Sequence, residues 1–215
     1  MTVSNPCGTI STNWSVLTKA NHMNSKQRIL TETAKLIHTN GLNNTSIQDI
    51  LDAANVTKSN FYYHFEGKEQ LAFEVLARRI RNFYAAVIEP SLDNTVLSPL
   101  ERVNAFLDRI LALGVSAEGE LGCPFGNLAQ EMSTIHEPLR EQLSSFFHAG
   151  AERLERCFEE GKKAGVFMES LPSHQVAEFV LAQIQGTFLL RKTHKDPGIV
   201  ERNIEMLRQL VKNWS

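Results

Sequence analysis

The chain has 215 residues, 42% of them hydrophobic, and a formal net charge of −2. That is enough apolar material for a substantial core, in one large domain or a small one joined to a larger. Three cysteines (Cys7, Cys123 and Cys157) are too few and scattered for a disulfide framework or a paired metal site, and no apolar run approaches membrane-spanning length.

Residues 1 to 23 are polar, rich in Ser, Thr and Asn, and aperiodic; a flexible tail is expected, with Met23 as an alternative start. They carry no basic flank followed by an apolar core, so neither signal peptide nor anchor is expected. From Asn24 onward nearly everything reads as helix, because strand alternation bounded by two-residue turns is absent. The first helix is predicted from Ser25 to Thr39, with Ile29, Leu30, Ala34 and Ile37 on one stripe and Asn40-Gly41 as its C-cap. Thr45-Ser46, with Asp49 in the first turn, open a second over "SIQDILDAA", and Asn55 ends it by tolerating the left-handed cap. After Asn55-Val56, Thr57 caps a short third helix, "KSNFYYHF". Two short helices joined by so tight a turn, with small Ala53-Ala54 at the crossing, form a helix-turn-helix in outline.

A long fourth helix is predicted from Lys68 to Ile88, with the domain boundary near its start: 24–70 for the reader, 71–215 for the body. Ser98-Pro99 with Glu101 make a capping box opening a helix to Val115. The loop "AEGELG" leads to a short helix from Pro124 to Ser133. Pro138 opens a long amphipathic helix ending near Gly165. Ser173 begins "SHQVAEFVLAQIQGTFLLRK", and Asp196-Pro197 cap the last helix, through Trp214. The expected class is therefore all-α, with about nine helices.

Charge is unevenly spread. Through Arg81 the chain holds nine cations against six acids, which leaves the remainder at −5. A mildly basic front on an acidic body hints at polyanion contact at one end. Lys68 raises a local question, since a cation in the first turn of a helix opposes the macrodipole.

The stretch "TSIQDILDAANVTKSNFYYHFEGKEQL" resembles the TetR family of bacterial transcriptional regulators. The set is specific: Thr-Ser-Ile opening the second helix, Asp49-Ile50, Val56 in the turn, Phe61-Tyr62, His64-Phe65, and Lys68 through Leu71. "GCPFGNLAQEM" (122–132) resembles the ligand-domain signature of one subgroup, and "GTFLLRKTHKDP" (186–197) its dimerising helix and following turn. Ser59-Asn60 depart from the Gly-Ser of many relatives, so a relative's target sequence does not transfer. The resemblance implies an all-helical homodimer with two N-terminal readers and two small-molecule pockets, acting on double-stranded operator DNA. The expected control is repression, with a palindromic operator released by a small molecule; activation is the alternative within the family.

The residues themselves agree where they reach. A helix-turn-helix presents the first residues of its second helix to base edges, here Lys58, Ser59 and Asn60. Asn pairs bidentately with adenine and Lys donates to guanine. Gln48 is a further base-edge reader, and Thr45, Ser46, Tyr62, His64 and Lys68 sit where hydroxyls, cations and helix N–H groups suit phosphates. A phosphate would offset the cost of Lys68; His64 reads equally as a local cap, while for Tyr62 phosphate contact is preferred over packing. "RRIR" (78–81) reads better as a solvated or interdomain face than as a DNA site.

Expected pocket residues are Phe106, Cys123, Asn127, Glu131, Phe147 and Gln183, the polar ones equally readable as a hydrogen-bonded junction. The expected dimer seam holds Phe179, Ile184, Gly186, Thr187, Phe188 and Leu207. Gly186 inside an apolar helix costs about 1 kcal/mol against Ala unless close approach needs the space. Cys123, at the N-cap before Pro124, is either a thiol of lowered pKa able to react with an electrophile or an inert wall of a reversible pocket.

No HExxH, GxSxG, P-loop or glycine-rich dinucleotide fingerprint is present, so no enzyme, metal or cofactor is expected. A helical adaptor that binds protein through the aromatic stretch is the remaining rival. A cytoplasmic location is expected from the odd cysteine count and the DNA partner.

Overall fold

The computed structural model describes residues 24–215; the expected tail, with Cys7 and Met23, lies outside them. The described residues form nine α-helices, a π-helical turn and a 3-10 turn, with no strand. The reader comprises α1 (Ser25–Asn40), α2 (Ile47–Ala54) and α3 (Lys58–His64), followed by α4 (Lys68–Phe83), which runs on into the π turn Tyr84–Ile88. The body adds α5 (Pro99–Val115), the 3-10 turn Glu118–Leu121, α6 (Pro124–Met132), α7 (Glu137–Lys163), α8 (Ser173–His194) and α9 (Gly198–Asn213).

Local chemistry sets the boundaries. Asn24 caps α1 by accepting from Lys26 N, and Gly41 ends it at φ 85°, a conformation that disfavours any side chain. Ser46 and Asp49 close a reciprocal capping box on α2, as Ser98 and Glu101 do on α5. Asn55 takes the expected left-handed cap at φ 48°. Thr57 accepts from Asn60 N to start α3, and Cys123 Sγ accepts from Gly126 N to start α6.

Three buried clusters divide the interior. The reader packs Ile29, Ile50, Leu51, Phe61 and Phe65 against Leu71 and Val75 of α4. Ala72 and Leu76, on the next face of α4, pack instead with Leu42, Phe125, Leu128, Met132 and Leu143. α4 thus belongs to both cores, and the expected boundary after residue 70 falls at the start of this shared helix. The largest cluster joins α5, α7, α8 and α9.

Two buried guanidiniums in the body differ in their surroundings. Arg102 donates to Leu92 O through Nε at 2.8 Å and pairs with Glu160. Arg191 of α8 is equally buried, yet its Nε and Nη1 have no partner among the described residues.

Candidate functional site

The reader's outer surface is built by α2, the turn and α3. Lys58 and Ser59 stand exposed at the start of α3, with the Ser59 and Thr57 hydroxyls 3.0 Å apart. Tyr62 and Tyr63 are exposed too, Tyr63 at 82%, a residue that nothing in the sequence pattern singled out. Gln48 is exposed and donates to Asp52 at 2.8 Å, so reading a base requires it to leave that carboxylate. Ser46 spends its hydroxyl and backbone N–H on Asp49, whose carboxyl those bonds hold below the usual range.

Four expected contacts need correction. Thr45 is fully buried, its hydroxyl donating to Gly41 O at 2.7 Å, so it presents nothing to a phosphate. His64 is turned back on α1, Nε2 lying 2.8 Å from Ser25 Oγ, a tie between helices and not a cap of its own helix. Asn60 is half-buried with Oδ1 turned inward and unpartnered, so both ends of its amide cannot meet an adenine in this orientation. Lys68 is explained without DNA, since its ammonium donates at 3.1 Å to both Leu42 O and Thr45 O. Those carbonyls lie at the end of α1 and before α2, and their partial charge offsets the dipole that the lysine opposes.

Behind the reader lies a cavity of about 460 Å³, within the range of small-molecule sites. Its walls come from both units: Leu30, Ala34 and His38 of α1, Arg79 and Phe83 of α4, and the inner faces of α5 to α8. Aromatic rings dominate. Phe125 stacks on Phe146 with centroids 4.2 Å apart, and Phe83 meets both edge-on. The π turn, an irregularity that periodicity did not foretell, contributes Tyr84, Ala86, Val87 and Ile88 to the lining.

Of the expected pocket residues, Phe106, Cys123 and Phe147 line the cavity. Gln183 does not: it is exposed on the far side of α8, and Gln185, about 200° around the helix, takes its place. Gln185 sits so close to Gly126 that a Cβ there would lie 2.4 Å from its Oε1. Asn127 belongs to a junction, donating to Leu121 O at 2.8 Å. Glu131 spans the two units, its carboxylate accepting from Leu42 N at 2.9 Å and Asn43 N at 2.6 Å. Cys123 caps as expected, but burial pushes its thiol up, against the lowering that a helix N-terminus favours. Burial likewise pushes the Cys157 thiol up to about 11.

Further ties join α1 to its neighbours. His38 Nε2 lies 3.0 Å from Gly122 O; a carbonyl only accepts, so that nitrogen carries the proton. Burial, aided by the charges of Arg79 and Lys192, lowers the His38 pKa and keeps the ring neutral. Arg78 donates to Thr31 Oγ1 at 2.8 Å and Arg79 to Ala34 O at 3.1 Å, so these members of "RRIR" link α4 to α1.

On α8 the expected seam divides. Ile184, Thr187 and Phe188 point into the chain's own core, as does Leu207 of α9, and are corrected to intramolecular packing. Phe179 and Gly186 are exposed on the opposite face, with Leu189 and Leu190, and nothing approaches the Cβ position of Gly186.

A helix-turn-helix with an exposed cationic start to α3, fused to a helical body around an apolar cavity, defines a DNA-binding regulator of the ligand-domain type. Comparison with known proteins agrees. Residues 29–75 match the bacterial regulatory proteins of the tetR family, and 99–207 match the tetracyclin repressor-like C-terminal domain. The chain is 32% identical to an HTH-type transcriptional regulator in the lacX 3′ region of Lactococcus lactis, over 87% of this chain and 93% of that protein. It is 27% identical to the HTH-type transcriptional repressor DhaR of Mycobacterium sp. strain GP1, over 86% and 88% of the two chains. A TetR transcriptional regulator from Legionella pneumophila superposes with a TM-score of 0.74 at 28% identity, covering 88% and 98%. The chain belongs to the TetR family and is a DNA-binding transcriptional regulator.

Proposed function

We propose that this regulator is a homodimeric repressor, working in the cytoplasm, that holds a palindromic double-stranded operator and releases it when a small molecule fills the cavity. The observation that carries the reading is the shared wall: α1 of the reader forms one side of the void and α5 to α8 the other. The exposed stripe Phe179, Gly186, Leu189 and Leu190 supports a two-fold seam on α8, where the missing side chain at 186 lets helices approach. Lys58, Ser59, Tyr62 and Tyr63 then face the major groove and its flanking phosphates. No described helix is long and apolar enough to cross a membrane.

Selection of bound genomic fragments, followed by titration at several salt concentrations with and without a metabolite panel, tests this. A steep linear fall of log affinity with log salt is expected, and at least one compound should weaken binding. DNA binding without salt dependence, or none, would favour the adaptor reading instead.

A further inference from the structure

We propose that the effector is a small apolar acid, its carboxylate seated on Arg79 and its hydrocarbon or aromatic body among the phenylalanines of the cavity. The inference rests on the cavity being the effector site. Lys35, Arg78 and Arg79 all line it, against a single acid, Glu118, which is exposed. Arg78 has Thr31 and the Gln27 carbonyl, and Lys35 pairs with Glu32 at 2.9 Å. Arg79 differs from both. Its guanidinium makes one hydrogen bond among the described residues, to Ala34 O, and has no carboxylate within ion-pair distance; Arg78, equally without a carboxylate, makes two.

A guanidinium carries five N–H donors in a fork that fits a carboxylate. Arg102, one of the two buried arginines of the body, shows what satisfaction looks like here, with Glu160 and Leu92 O both engaged. Burial already disfavours the charge on Arg79, and Glu118 is the acid whose charge acts against that. Arg79 lines the void together with His38 and Cys123, at its polar end. His38 contributes no charge there, its ring being neutral and its N–H committed to Gly122 O. Much of the remaining wall is rings, Phe83, Phe106, Phe125, Phe146, Phe147 and Phe188, with aliphatic side chains between them. An incoming anion thus meets one under-used cation at the edge of an apolar chamber, and its acid group replaces solvent on the free side of the fork.

The test pairs each acid with its neutral twin. Octanoate, 4-phenylbutyrate and 3-phenylpropionate, and their primary amides, are titrated by calorimetry into wild type, Arg79→Gln and Arg79→Lys. Operator release is followed in parallel by fluorescence anisotropy. Wild type should bind at least one acid about tenfold or more tightly than its amide, the scale of a lost charge-assisted hydrogen bond. Arg79→Gln should erase that preference and Arg79→Lys retain it, with melting midpoints confirming that both fold. Equal binding of acid and amide by wild type, or no binding of any acid, overturns the proposal without need of a variant. Acids that bind through Arg79 yet leave the operator bound would support the site and refute release by cavity filling. Amides that bind as tightly as acids and release operator would do the reverse.

Discussion

Replacing Glu131 with Ala removes the carboxylate that holds the loop between α1 and α2 to the end of α6. Two backbone N–H groups lose their acceptor, Leu42 N at 2.9 Å and Asn43 N at 2.6 Å. The Leu42 bond is partly buried, and a hydrogen bond to a charged group contributes about 1.5–3 kcal/mol there. Asn43 is exposed and turns to water, so its loss adds about 0.5–1 kcal/mol. Glu131→Ala should therefore lower the unfolding free energy by about 2–4 kcal/mol, and Glu131→Gln, which keeps one acceptor, by roughly half of that. Urea unfolding at fixed protomer concentration measures this, because dimer stability depends on concentration. The loop that Glu131 holds leads directly into α2, so operator affinity in the presence of effector should respond less in the variant. If Glu131→Ala unfolds within about 0.5 kcal/mol of wild type and keeps its full effector response, the clip is a surface contact and the reasoning fails.

Other outcomes follow from the same geometry. Lys58→Ala should weaken operator binding by about 1–3 kcal/mol per half-site and reduce the salt slope. Lys68→Ala should instead cost about 1–2 kcal/mol of stability through the Leu42 and Thr45 carbonyls, with the salt slope unchanged by titration. Gly186→Phe should leave the monomer fold intact, since none of the described residues approaches that position, yet abolish the dimer; an unchanged sedimentation coefficient would place the seam elsewhere. His38 has a lowered folded pKa, so the unfolded chain binds its proton first as acid is added. Stability should be full above about pH 6.5 and fall below it toward the folded pKa, and His38→Gln should flatten that fall in urea midpoints taken from pH 8 to pH 5. His174, raised by its bond to Glu155, acts in the opposite sense and is common to both proteins. Arg191→Met should be neutral or stabilising by about 1–3 kcal/mol in thermal unfolding, as the guanidinium is buried with Nε and Nη1 unpaired; marked destabilisation would reveal a partner supplied by the second protomer.

Features whose physics is local were legible in the sequence. The capping boxes at Ser46 and Ser98, the left-handed Asn55 and the Cys123 cap each depend on neighbours within four residues. Lys68 shows where such reading stops. Local electrostatics correctly marked it as anomalous, but its partners are carbonyls 26 and 23 residues earlier, which only the fold brings within reach. α8 failed for a different reason. Its two faces are both apolar, one buried and one exposed, so its periodicity does not say which of Phe179, Ile184, Gly186 or Phe188 looks outward. Asn127 and Glu131 sit on a nine-residue helix whose polar groups were open to either a pocket or a junction, and tertiary placement chose the junction. Arg79 and His38 carried no signal of a cavity, because the void exists only where α1 and α4 meet the body.

That meeting place also explains how occupancy of the cavity can reach the DNA. A ligand releases operator only by binding the releasing conformation better than the holding one. In this chain, Leu30, Ala34 and His38 form part of the wall, so any tilt of α1 against α6 and α8 reshapes the void and alters the apolar surface a ligand buries. The demand is small: a tenfold preference is about 1.4 kcal/mol, which corresponds to roughly 55 Å² of extra apolar burial. α6 is placed to transmit it. Its first turn, with Cys123 and Phe125, faces the cavity, while Glu131 at its other end holds Leu42 and Asn43 of the reader. A rigid nine-residue helix spans only about 13 Å, so a push on Phe125 arrives at the reader's loop without crossing flexible chain. Ligand affinity and ligand effect are therefore partly separable here, since cutting the far end of α6 at Glu131 leaves the cavity walls in place while removing one of their links to the residues that hold DNA.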